Sequence, residues 1–197
     1  MWMRLKRAQG DTSMTKTEVS RSDILLAIIA AAGGSELSRV QLQKVAFLVS
    51  EEFKGRLPED FYTFDKHNFG PFCIDIYNDT EMLHYWGWIK VNPGEEPRLD
   101  TYSIAMPFNL DDLQFDKDIK QYIEDTVAWV VDMSFGEIVR AIYWLFPEYR
   151  ENSIFNYSEE EAELESFARS VKQLQEGKTY AAKERLEELR RTIRVNG

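Results

Sequence analysis

TFDKHNFGPFCIDIYNDTEMLHYWGWI, residues Thr63–Ile89, carries the strongest local signals in the chain. Phe61, Tyr62 and Phe64 make a β-prone approach to its turn. Gly70-Pro71 reads as a hinge, since glycine takes turn angles freely and proline presets the first residue of a helix. Beyond it, Cys73, Ile76, Thr80 and Leu83 stand at i, i+3, i+7 and i+10, which predicts one face of a helix. Trp86-Gly87-Trp88 stops that helix, with Gly87 where a left-handed cap is easiest. A strand, a Gly-Pro turn, a helix and a further hairpin have the order of the second half of a winged helix. The function then hangs on whether that helix meets DNA.

Working back toward the N-terminus, residues 1–21 lack apolar periodicity and read as a flexible basic arm. Ser22 or Asp23 is placed to cap a helix, ILLAIIAAA, that ends at Gly33-Gly34. Its apolar residues almost encircle it, so a buried helix is expected. Ser38 caps a second helix, whose stripe is Leu42, Val45, Ala46, Val49 and Phe53, and Gly55 and Pro58 close that segment.

Working forward, Trp88–Val91 and Leu99–Ile104 are β-prone runs around Asn92-Pro93-Gly94, which predicts a hairpin with an extended turn. Residues 22–106 thus form a winged-helix-like core. Asp111 or Asp112 opens a helix with Phe115, Ile119, Tyr122, Thr126, Val130 and Met133 on one side. Ser134-Phe135-Gly136-Glu137 is a capping box for another helix, with Ile138, Ile142 and Leu145 inward, which ends at Phe146-Pro147. Residues 107–150 are expected to pack on the core. In 151–197, a box at Ser158–Glu161 precedes the stripe Leu164, Phe167, Val171 and Leu174. Ala182, Leu186, Leu189 and Ile193 resume the stripe after Gly177, giving an αα-hairpin. The fold class is mainly α with a small β-hairpin.

The charge limits the partners. With 34 acidic and 24 basic side chains among 197 residues, the net charge of −10 disfavours indiscriminate binding to nucleic acid or anionic membrane. Nine residues, Ile24–Ala32, make the longest apolar run, too short to span a bilayer. The basic N-terminus leads into no signal-peptide cleavage region, so a cytoplasmic protein is expected. The single cysteine, Cys73, rules out an intrachain disulfide and a cysteine-based zinc cage.

Catalytic patterns are missing: no GxxxxGK[ST], GxGxxG or HExxH occurs. His67 and His84 fall on different predicted elements, and with Cys73 they have no diagnostic metal-ligand spacing. Cys73 lies on the apolar stripe and reads as buried and inert. Asp111/Asp112 and Glu159–Glu161 stand at helix starts, where capping explains them. We therefore expect no enzyme, cofactor or metal.

Between His67 and Ile89 there is no Lys or Arg, while Asp75, Asp79 and Glu81 contribute −3. A helix in the major groove needs donors for phosphates and guanine edges, normally Arg or Lys. The alternative of a DNA-binding regulator would have to use Arg4, Lys6 and Arg7 of the arm, Lys90 and Arg98 of the hairpin, and Arg190, Arg191 and Arg194 near the end. A protein surface fits the stretch better. Lys66, Asn68, Tyr77, Asn78, Glu81, Tyr85 and Trp86 are its candidate contacts, aromatics being the usual anchors of interfaces.

QLQKVAFLVSEEF (41–53), FYTFDKHNFGPF (61–72) and IYNDTEMLHYWGWIKV (76–91) resemble the Panacea, or SocA-like, antitoxin domain. Leu42, Lys44, Val45 and Leu48 match its leucine-rich helix. Phe64, Gly70, Pro71, Tyr77 and Leu83 match its aromatic strand, its Gly-Pro at a helix start, and the helix that follows. The resemblance spans about residues 22–105. It implies a prokaryotic antitoxin that neutralises a toxin encoded beside it by direct binding, or an adaptor delivering that partner to a protease. Homodimerisation, or a structural role in a phage or defence assembly, are the remaining alternatives.

Overall fold

Ser20, two residues before the nearer of the expected caps, Ser22, starts the first helix. A computed structural model of the chain describes residues 19–106 and 116–155. Within them α1 is Arg21–Ala31, and Asp23 is its third residue rather than its cap. Ser20 N–H donates to the Asp23 carboxylate at 2.9 Å, and Asp23 N–H donates to Ser20 Oγ at 3.2 Å. This reciprocal box occupies amides that a helix start leaves unpaired. Ile24–Ile29 follow, buried on every side, and Gly33 and Gly34 end the segment at φ 61 and 103.

After the two-residue strand β1 (Leu37–Ser38), a second box joins Ser38 to Gln41 and opens α2, Arg39–Glu52. Every residue from Gln41 to Val49 is buried. Helix α2 packs against α1, α4 (Lys117–Val130), α5 (Phe135–Leu145) and β3 (Gly70–Phe72), so it has no wet face in that stretch. Its polar members must then find partners, because a buried polar group without one is costly. They find backbone. Gln41 Nε2 lies 2.8, 3.1 and 3.1 Å from the carbonyls of Val130, Val131 and Met133, at the end of α4. Gln43 accepts the Cys73 N–H at 3.0 Å and donates to the Cys73 carbonyl at 2.7 Å, as a neighbouring strand would. Lys44 Nζ donates to the Pro71 carbonyl at 2.8 Å.

Strand β2 (Asp65–His67) pairs antiparallel with β3, Lys66 opposite Pro71 and His67 opposite Gly70. Two expectations are corrected here. Gly70-Pro71 does not open a helix but forms a strand. Gly70 at φ 90 takes the left-handed place after the Asn68-Phe69 turn, and a hairpin edge tolerates a proline that has no N–H to pair. The aromatic run Phe61, Tyr62, Phe64 is not a strand either. Its rings are spent on packing: Tyr62 is buried with its hydroxyl 2.7 Å from Asp79, and Phe64 meets Phe47 edge-on at 5.3 Å. The strand falls instead on three exposed polar residues.

Helix α3, Asp75–Tyr85, turns Ile76, Thr80 and Leu83 into the core. It ends as expected at Gly87, φ 77, where the Gly87 and Trp88 amides donate to the His84 and Leu83 carbonyls at 2.9 and 3.0 Å. That pair of bonds is the Schellman motif. Strand β4 (Ile89–Asn92) then pairs with β5 (Thr101–Ile104), and β1 adds to β5 in the order β1-β5-β4. Leu99 lies in a 3-10 turn, Pro97–Leu99, rather than in the strand.

Helix α4 is described from Lys117; the expected opening at Asp111 or Asp112, and Phe115, lie outside the described residues. Ser134 and Glu137 form the expected box at the start of α5. Buried side chains of all five described α-helices meet in a shared core. The described part is thus mainly α with a small antiparallel sheet.

Candidate protein-binding face

Once Ile76, Thr80 and Leu83 point inward, the opposite side of α3 is fixed by the helical period. It carries Ile74, Asn78, Glu81 and Tyr85 at i, i+4, i+7 and i+11, with Met82 and Trp86 beside them. Ile74, Met82, Tyr85 and Trp86 expose 57, 45, 83 and 48% of their surface. Four large apolar side chains along one outward helix face are what an interface uses for anchors.

The flank toward α1 is ionic. Arg21 Nε lies 2.9 Å from Asp79 and Arg21 Nη1 lies 3.6 Å from Asp75. Asp79 also accepts from Tyr62, whose ionisation is pushed far up by burial first and by this carboxylate next. Two of the three acids of the helix are therefore committed within the chain. Glu81 keeps its carboxylate outward. At the far end, His84 Nδ1 is 3.1 Å from the Ile89 carbonyl. A carbonyl only accepts, so Nδ1 carries the proton there, and the imidazole ties the helix to β4.

The seven residues proposed as partner contacts separate into three places. Asn78, Glu81, Tyr85 and Trp86 share the outward face. Tyr77 does not: Arg39 covers its ring at 4.7 Å and Phe72 meets it edge-on at 5.6 Å. Lys66 and Asn68 sit on the β2–β3 hairpin and are bound by the segment after α5. Lys66 pairs with Glu151, its carbonyl accepts from Asn152 at 3.1 Å, and the Asn68 carbonyl accepts the Ile154 N–H at 3.1 Å. Ile74 and Met82 were missed, although their spacing of eight from one another through Asn78 is legible in the sequence.

The motif residues are structural. Leu42 and Leu83 are in the core, Phe64 packs on Phe47, and Gly70, Pro71 and Lys44 make a buried contact between hairpin and α2. Cys73 is buried, and burial pushes its thiol up. Of the basic candidates, Lys90 and Arg98 are exposed on the β4–β5 hairpin, with Arg98 paired to Glu96. Arg4, Lys6, Arg7, Arg190, Arg191 and Arg194, and the C-terminal helical hairpin, lie outside the described residues.

Among the described residues no helix is long and apolar enough to cross a membrane, and no three His, Cys, Asp or Glu side chains converge as metal ligands do. No family model, curated protein or solved structure matches the chain.

Proposed function

We propose that this chain acts without catalysis, by binding another protein through the outward face of α3. The exposed row of Ile74, Met82, Tyr85 and Trp86, on a helix held by Arg21 at Asp79 and by His84 at its last turn, carries this reading. Tyr and Trp bring large contact area with few rotatable bonds, so little side-chain freedom is lost on docking. The antitoxin resemblance names the kind of partner: a toxic protein encoded beside it, neutralised by occlusion or handed to a protease in the cytoplasm. A winged-helix scaffold fits the order of elements and the β1-β5-β4 sheet. In this reading its third helix serves a protein rather than DNA, since α3 carries three acids and no Lys or Arg.

The test is co-expression with the product of each adjacent gene. The full chain is expected to co-purify with one of them and to relieve its growth inhibition. The double variant Tyr85→Ala, Trp86→Ala is expected to lose both effects while melting within about 2 °C of wild type, as surface changes usually do. Neutralisation by the double variant at wild-type strength would remove α3 from the interface. Failure of every neighbour to bind would remove the antitoxin reading itself.

A further inference from the structure

Lys44 is 2% exposed, on the stretch of α2 that has no wet face, and among the described residues its amine has one acceptor, the Pro71 carbonyl. Gly70 forms one wall of the site that holds that amine, with Tyr143 and Ile142 beside it. A Cβ at Gly70 would stand 3.5 Å from Lys44 Nζ, 3.3 Å from Tyr143 Cε1 and 3.6 Å from Ile142 Cγ2. A neutral amine fits such a nest with one donated bond. An ammonium does not, because it has three donors and a charge that water or a carboxylate must offset.

We propose that Lys44 is a proton-operated latch: neutral, it holds the β2–β3 hairpin and the 151–155 segment against α2, and protonated, it lets them open. The segment is coupled to the hairpin by the bonds of Asn152 to Lys66 and of Ile154 to Asn68. Opening lets solvent protonate and hydrate the amine. Burial alone brings Lys44 down to about 7 in the closed form, against an ordinary value near 10.4 once the hairpin is open.

Other titratable groups surround the nest. From α5 comes Tyr143, kept neutral by burial, with its hydroxyl donating to Ser153 Oγ at 2.6 Å. From the hairpin come Asp65, Lys66 paired with Glu151, and His67 stacked on Phe72; from the 3-10 turn Pro147–Arg150 come Glu148, Tyr149 and Arg150. His67 is the histidine of the hairpin, so its variant belongs in the test. The latch does not rest on the function proposed above.

Hydrogen exchange of the full chain, compared between wild type and Lys44→Met at equal pH, separates the latch from intrinsic exchange. In wild type, the amides of 65–73 and 151–155 are expected to exchange ahead of those of Ile24–Ile29. Their rate relative to Lys44→Met should rise about tenfold for each unit the pH falls from about 9 to about 7, then level off. His67→Gln should behave as wild type. A ratio that does not change with pH, a change abolished by His67→Gln, or exchange only together with Ile24–Ile29 would overturn the proposal. If Lys44→Met does not fold, the Lys44 side-chain carbon signal of wild type decides: titration near neutrality supports the latch, and titration only above pH 9.5 rejects it.

Discussion

Lys44 puts a titratable group where few proteins tolerate one, and stability should record it. Its folded value lies below its unfolded value, so between about 7 and about 10 the unfolded chain holds more protons. Stability therefore rises with pH across that window and is flat just below it. Beyond about pH 10 the sign reverses. Buried Tyr62, held protonated in the fold by burial and Asp79, loses its proton first in the unfolded chain. Urea titrations at pH 7, 8 and 9 should show the rise in wild type and not in Lys44→Met. At pH 7 the variant should be more stable by on the order of 1–3 kcal/mol, the lost donor to the Pro71 carbonyl offsetting part of the gain. Gln41 should behave in the opposite way. Gln41→Leu leaves carbonyls at the end of α4 buried without a donor, and should cost about 1–3 kcal/mol at every pH.

Helices announced themselves better than strands, and the reasons are local. Ser38–Gln41 and Ser134–Glu137 are boxes that can be read from the letters, and Gly87 marks the end of α3 without ambiguity. Gly87→Ala should cost roughly 1–2 kcal/mol in thermal or urea unfolding. That cost is backbone strain alone, because nothing lies within 4 Å of where the Cβ would be. Asp65-Lys66-His67 gave no β signal, since pairing with Gly70–Phe72 rather than propensity makes it a strand. Gly-Pro is ambiguous in principle: the same two residues open helices and close hairpins. The outward side of α3 follows from its inward side by periodicity, yet the sequence could not say that Arg39 covers Tyr77 or that residues 151–154 occupy the hairpin. Contacts between residues so far apart in the chain leave no mark in either local pattern.

At the scale of the molecule, charge bears on which partner the chain can take. The net charge is −10, and α3, with Asp75 and Asp79 held by Arg21 and Glu81 outward, carries no Lys or Arg to meet a duplex. In 50 mM salt a 20-base-pair duplex should bind the full chain more weakly than about 10⁻⁴ M by fluorescence anisotropy. Affinity in the micromolar range that falls steeply with salt would reverse that conclusion. The way α2 is wired has a further consequence for how this chain can change. Gln41, Gln43 and Lys44 grip carbonyls, which every residue type offers, and one amide, which every type but proline offers, and not side chains. Residues 71, 73 and 130–133 are thus free, as far as these bonds go, to drift in identity. The burden of keeping the architecture falls on three polar letters of one helix, so an altered descendant should be recognised by that trio sooner than by the segments it holds.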